Sequence, residues 1–169
     1  MTTAATRKSP LAQGLSLLGC LAVTFAAAGL GSVASMNAPE FYTQLDRPGW
    51  APPPSVFGPV WSVLYLLMGV ALWLVWCERA AGRDTRTALL LFGAQLVVNA
   101  LWSWLFFAWH QGALAFADVL LLVALVAATA LAFWRIRPLA GVLLLPYLAW
   151  ISFAMALTWA VWQRNPGLL

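Results

Sequence analysis

Five apolar stretches, at roughly residues 15–34, 56–77, 88–109, 113–134 and 139–162, take up most of this chain, and Asp118 is the only charged residue inside any of them. Each is close to the ~20 residues that a helix needs to cross ~30 Å of hydrocarbon at ~1.5 Å per residue. Backbone surrounded by lipid must satisfy its own hydrogen bonds, so runs of this kind fold as helices. Hydrophobic residues make up 63% of the chain and charged residues 8%, against roughly 25% charged in a soluble domain. The expected fold is therefore an all-α membrane protein, a bundle of five transmembrane helices in the lipid bilayer.

The net charge of +4 comes from basic residues scattered between the apolar runs. Such residues set topology, and nucleic acid is not an expected partner. Arg7, Lys8, Arg79, Arg83, Arg86, Arg135 and Arg137 fall on one side, Arg47 and Arg164 on the other. This asymmetry predicts a cytoplasmic N-terminus with the 35–55 loop outside, and a helical bundle suits a bacterial inner membrane. The run 15–34 is long enough to be a retained first helix rather than a signal peptide. The expected organisation is a tail over 1–14, a transmembrane region over 15–166 and a short tail over 167–169. Cys20 and Cys77 lie in or beside apolar runs without metal-ligand spacing and read as small buried hydrophobes.

The stretch WAPPPSVFGPVWSVLY (50–65) joins a proline-rich loop to the second helix. Pro52, Pro53 and Pro54 favour a stiff polyproline-like lid, and Pro59 suits the first turn of a helix. Trp61 and Tyr65, one turn apart, then share a face beneath that lid. Asn99 and Trp102 share a face of helix three, and Trp150 and Ala154 a face of helix five. Counted from the helix ends, these residues lie at mid-membrane or nearer the long loop, the placement that one ligand pocket requires. Trp76, Trp109, Trp134 and Trp162 sit at helix ends and read as an interfacial belt.

Asn99 must face the bundle interior, either as helix-to-helix glue with Gln95 nearby as partner or as a ligand contact. Asp118 is expected near the start of helix four, where the helix dipole favours a carboxylate, with a bond to the lid or a proton relay as its roles. Pro146 is expected to bend helix five. Gly112 marks the short turn between helices three and four. His110 has no second ligand at metal-binding spacing, so neither a metal nor a required cofactor is expected. No nucleophile–base constellation or phosphate loop is present in the sequence.

The segments FYTQLDRPGWAPPPSVFGPVWSVLY (41–65), Asn99 followed by ALWSWLFF, AFADVLLL (115–122) and LPYLAW (145–150) resemble the TspO/MBR family over about Leu15 to Pro166. The family comprises bacterial tryptophan-rich sensory proteins and the mitochondrial translocator protein, or peripheral benzodiazepine receptor. The resemblance implies a five-helix bundle, often a homodimer, that binds porphyrin or a haem-like tetrapyrrole under its first loop. By position it assigns ligand contacts to Tyr42, Trp61, Asn99 and Trp150, with Trp102 and Ala154 as further lining; Tyr65 joins these candidates through the helix face it shares with Trp61. It also implies an alternative, enzymatic role in which Trp61 and Trp150 take part in light- and oxygen-dependent degradation of protoporphyrin IX. One departure concerns cholesterol: in LTWAVWQR, Trp159 stands where the sterol-recognition pattern has tyrosine, which puts that partner in doubt. A transporter proper is disfavoured by the lack of repeats and of paired buried charges.

Overall fold

The computed structural model describes residues 9–169, so Arg7 and Lys8 lie outside the described residues. Helix α1 (Pro10–Ala34) starts five residues before the expected run, because Ser9 caps it through a bond from Ala12 N and Pro10 occupies its first turn. The remaining long helices are α3 (Phe57–Ala80), α4 (Arg86–Ser103), α5 (Gly112–Ile136) and α7 (Leu145–Arg164). With their continuations they form five spans of 23–27 residues, each long and apolar enough to cross a membrane. Large apolar side chains such as Leu30, Leu90, Val97 and Leu131 face outward, whereas Gln95, Asn99, Thr129 and Thr158 are buried. Polar groups inside and leucines outside are what a bundle solvated by lipid requires, so this is a multi-pass integral membrane protein.

The helices close into a ring. α1 packs on α3 and α4; α5 packs on α4 and α7; the short helix α6 (Pro138–Val142) joins α5 to α3. Two glycines permit close approaches. A Cβ at Gly69 would lie 2.5 Å from the Leu21 side chain and 3.3 Å from its Cα, so only glycine lets α3 sit this near α1. A Cβ at Gly141 would lie 2.9 Å from the Ala130 carbonyl oxygen, which fixes α6 against α5.

Three local expectations are corrected, and one feature was not anticipated. The 35–55 loop contains a helix, α2 (Ala38–Gln44), with Pro39 in its first turn and Glu40 at its positive end. Seven residues are too few to form a helix alone, and α2 is held by the packing of Tyr42 against Leu105, Phe106 and Leu157. Pro146 does not bend a continuous helix. The fifth span is divided at Leu143–Leu144, and Pro146 stands in the first turn of α7, where its missing N–H needs no partner. Nor is Gly112 the turn residue. His110 takes the left-handed conformation (φ 52°), and Gly112 opens α5 against the Trp162 indole, whose Cδ1 a Cβ would meet at 2.5 Å. Lastly, the third span ends in a π-type turn over Trp104–Ala108, closed by bonds from Trp109 N to Trp104 O and from Gln111 N to Leu105 O, both 2.8 Å.

The charges separate by end as expected. At the end away from the 35–55 loop, Glu78 meets Arg83 at 3.4 Å and Arg137 at 3.7 Å, and Arg83 Nη1 donates to the Ile136 carbonyl at 2.7 Å. These contacts tie the α3–α4 loop to the α5–α6 junction. Arg47 and Arg164 lie at the lid end, the latter 3.8 Å from Asp46.

Candidate functional site

A cavity of about 680 Å³ opens inside the ring at the lid end. It falls within the ~300–1,000 Å³ typical of small-molecule sites. Tyr42, Trp61, Tyr65, Asn99, Trp102, Trp150 and Ala154, selected from the sequence as one group, all line it. They come from α2, α3, α4 and α7, each helix delivering residues three or four apart onto the interior face.

One wall is aromatic. Trp61 lies against Tyr65 (centroids 5.6 Å) and Tyr147 (6.1 Å), and Trp150 against Phe57 (6.0 Å) and Phe153 (5.5 Å). Trp102 stacks on Phe106 at 5.2 Å, an arrangement reached just before the π-type turn, which also brings Phe107 to the cavity. The remaining lining is mostly small and weakly polar: Ala28, Gly29, Gly31 and Ser32 of α1 with Ser35 just beyond it, and Gly58 and Ser62 beside Trp61 on α3; Phe25 is the one aromatic that α1 adds. Ser32, Ser35 and Ser62 donate to carbonyls three or four residues back, so their hydroxyls leave a smooth surface. Among the described residues, no side chain lining the cavity carries a charge. The α1 wall was missed in the sequence, because glycine, alanine and serine in a first span carry no distinguishing signal.

Beneath the aromatics lie two buried polar pairs. Asn99 Nδ2 donates to Tyr65 Oη at 2.9 Å, and Tyr147 Oη donates to Gln95 Oε1 at 3.1 Å. The expected Gln95–Asn99 partnership is thus replaced by two separate contacts, each helix-three amide reaching a tyrosine on another helix. Asn99 is also among the residues that line the cavity, so it serves both as glue and as lining. Tyr147→Phe should lower stability by about 0.6 kcal/mol, the mean for such bonds in membranes, read as a thermal shift in detergent.

Asp118 is buried, yet it makes no bond to the lid and does not line the cavity; its Oδ2 has no hydrogen-bond partner among the described residues. It is the seventh residue of α5, beyond the first turn where the helix dipole acts, which corrects the expectation of dipole support. Trp102 Nε1 likewise lacks a partner among the described residues.

The lid closes on itself over the cavity. Pro53 is extended (φ −66°, ψ 151°), as the proline run predicts, and Pro54 starts a short 3₁₀ turn that leads into α3. Tyr42 Oη donates to the Pro52 carbonyl at 3.3 Å, and the Arg47 guanidinium lies 4.7 Å from the Tyr42 ring centroid. Burial pushes the Tyr42 phenol above its ordinary range, with the nearby Arg47 pulling the other way, so the hydroxyl stays protonated and remains a donor.

The sequence that builds this site has counterparts among known proteins. The sequence pattern of the TspO/MBR family matches residues 18–163. The chain belongs to the TspO/MBR family. It is 41% identical over 129 residues to the translocator protein of Homo sapiens, covering 76% of each chain. Over 159 residues it is 36% identical to the tryptophan-rich protein TspO of Chlorobaculum tepidum, covering 94% of this chain and 99% of that one. The tryptophan-rich sensory protein of Cereibacter sphaeroides is 38% identical over 132 residues, covering 78% of this chain and 81% of its own. The TspO/MBR match takes in all four helices of the aromatic wall, together with the lid and most of α1.

Proposed function

We propose that this TspO/MBR protein binds a porphyrin or related tetrapyrrole in the cavity under the lid, and acts in membrane sensing, sequestration or transport of that ligand. The single observation that carries this reading is the uncharged, aromatic-rich cavity of about 680 Å³. A flat apolar macrocycle gains from indole faces, each aromatic contact contributing roughly 0.5–1.5 kcal/mol beyond area burial. Anionic propionates have no partner inside, so they remain at the mouth, where Arg47 is held over Tyr42. The names of the relatives, translocator protein and tryptophan-rich sensory protein, support a transport or sensory role. In the cell the protein lies in an inner membrane with its N-terminus cytoplasmic and the lid outside. The outward-facing Gly93 and Ala94 of α4 offer a small-residue surface for a homodimer, tested by cross-linking in lipid.

A second reading is favoured by the contacts of Trp61 with Tyr65 and Tyr147, a run of oxidisable rings leading from the cavity into the core. Under it the protein degrades protoporphyrin IX with light and oxygen. One titration separates the two: purified protein with protoporphyrin IX, following the Soret band in darkness and then in light. Saturable binding with a stable band supports the binding protein. Bleaching in light that is lost in Trp61→Phe with Trp150→Phe supports the enzyme, and absence of saturable binding refutes both.

A further inference from the structure

Asn165 stands just past the last turn of α7 and is 119 residues from the lid, yet its side chain is bonded to both backbone groups of a single lid residue. Its Oδ1 accepts from Asp46 N and its Nδ2 donates to Asp46 O, each at 2.9 Å. The same Nδ2 donates to the Val161 carbonyl at 2.7 Å, which fixes the rotamer and satisfies one of the carbonyls left open at the end of α7. The backbone of Asn165 is fixed as well, its carbonyl accepting from Leu168 N and Leu169 N. The residue is buried.

We propose that Asn165 is the positioning residue that latches the lid over the cavity and thereby sets how long a ligand is retained; the retention part rests on the ligand-binding reading above. The latch point is well placed for this. Leu45, next to Asp46, is buried in the apolar cluster under the lid, and Tyr42 lies one helical turn before Asp46. Because Tyr42 is bonded to Pro52 and covered by Arg47, a hold at Asp46 passes to the cavity roof as one body. The ion pair between Arg164 and Asp46 is a weaker fastening. At 3.8 Å between two largely exposed side chains, it is of the kind that contributes little. The amide pair is buried and directional, and it leaves no lid backbone group at Asp46 unpaired.

The decisive comparison uses the full chain in lipid nanodiscs as wild type, Asn165→Asp and Arg164→Ala. Asn165→Asp keeps the shape but turns a donor into an oxygen facing two carbonyls. Hydrogen exchange over residues 38–52 and the dissociation rate of protoporphyrin IX are measured for each. The latch predicts roughly tenfold faster exchange in the lid and roughly tenfold faster dissociation for Asn165→Asp. Exchange in α3 and α5 stays unchanged, and Arg164→Ala behaves as wild type. Unchanged lid exchange in Asn165→Asp overturns the latch, and faster exchange with unchanged dissociation overturns its control of retention. If Asn165→Asp fails to fold, Asp46→Pro removes the N–H that donates to Oδ1, next to a Leu45 already extended (φ −78°, ψ 140°) as a residue before proline must be; it also removes the carboxylate facing Arg164, a loss that Arg164→Ala measures separately. Should wild type show no saturable porphyrin binding, the ligand reading falls, and the exchange comparison still decides the latch.

Discussion

Replacing Trp61 and Trp150 together with alanine will weaken protoporphyrin IX binding by about 10- to 100-fold, read from the Soret shift on titration. The two indoles stand on different helices, α3 and α7, and both line the cavity. Each loses a stacking surface of roughly 0.5–1.5 kcal/mol together with its share of buried area. Neither truncation should unfold the protein, because both residues are only partly buried and pack against the rim of the core rather than forming its centre. Trp109→Ala is the control, since this indole is exposed at the short turn and outside the cavity. Equal affinity in the double variant and wild type would mean that the ligand rests on the serine and glycine wall or binds elsewhere. A loss matched by Trp109→Ala would point to partition into lipid rather than a site.

The spans and the aromatic wall were legible in the sequence because both follow from periodicity and chemistry that a single chain displays. An uncharged run of bilayer length admits one backbone solution, and Trp61–Tyr65, Asn99–Trp102 and Trp150–Ala154 repeat at helical spacing. What remained hidden depends on neighbours. The smallness of Ala28, Gly29 and Gly31 matters only once Trp61 and Trp102 line the same cavity. Gln95 and Asn99, one turn apart, looked like partners, but each finds a tyrosine across the bundle, at Tyr147 and Tyr65, where a second helix supplies better geometry. Helix α2 lacks the length to announce itself, and the break before Pro146 follows a segment whose Gly141 packs on α5, a contact that no single stretch of sequence displays. Asn165 shows the limit most clearly, for a lone asparagine after a helix reads as a stop signal, and its bond to Asp46 joins segments 119 residues apart.

Asp118→Leu is expected to stabilise the protein by about 1–3 kcal/mol, the usual cost of a buried polar group without a partner. At roughly 2–4 °C per kcal/mol for a chain of this size, the change is visible in a thermal melt in detergent. Three observations set the sign. The carboxylate is buried, its Oδ2 is unpaired among the described residues, and its place in the second turn of α5 removes dipole support. Leucine has the apolar character of the run 113–134 around it, in which Asp118 is the one charged residue. Asp118→Asn should gain less, because it removes the ionisable group but brings two donors to the same place. Porphyrin affinity should not change in either variant, since Asp118 does not line the cavity. A melt that falls instead would show that the carboxylate is held by a partner in the bilayer. A fall confined to light-driven or transport activity, with stability raised, would assign Asp118 to proton movement, because only a functional requirement would keep a destabilising acid inside an otherwise uncharged span.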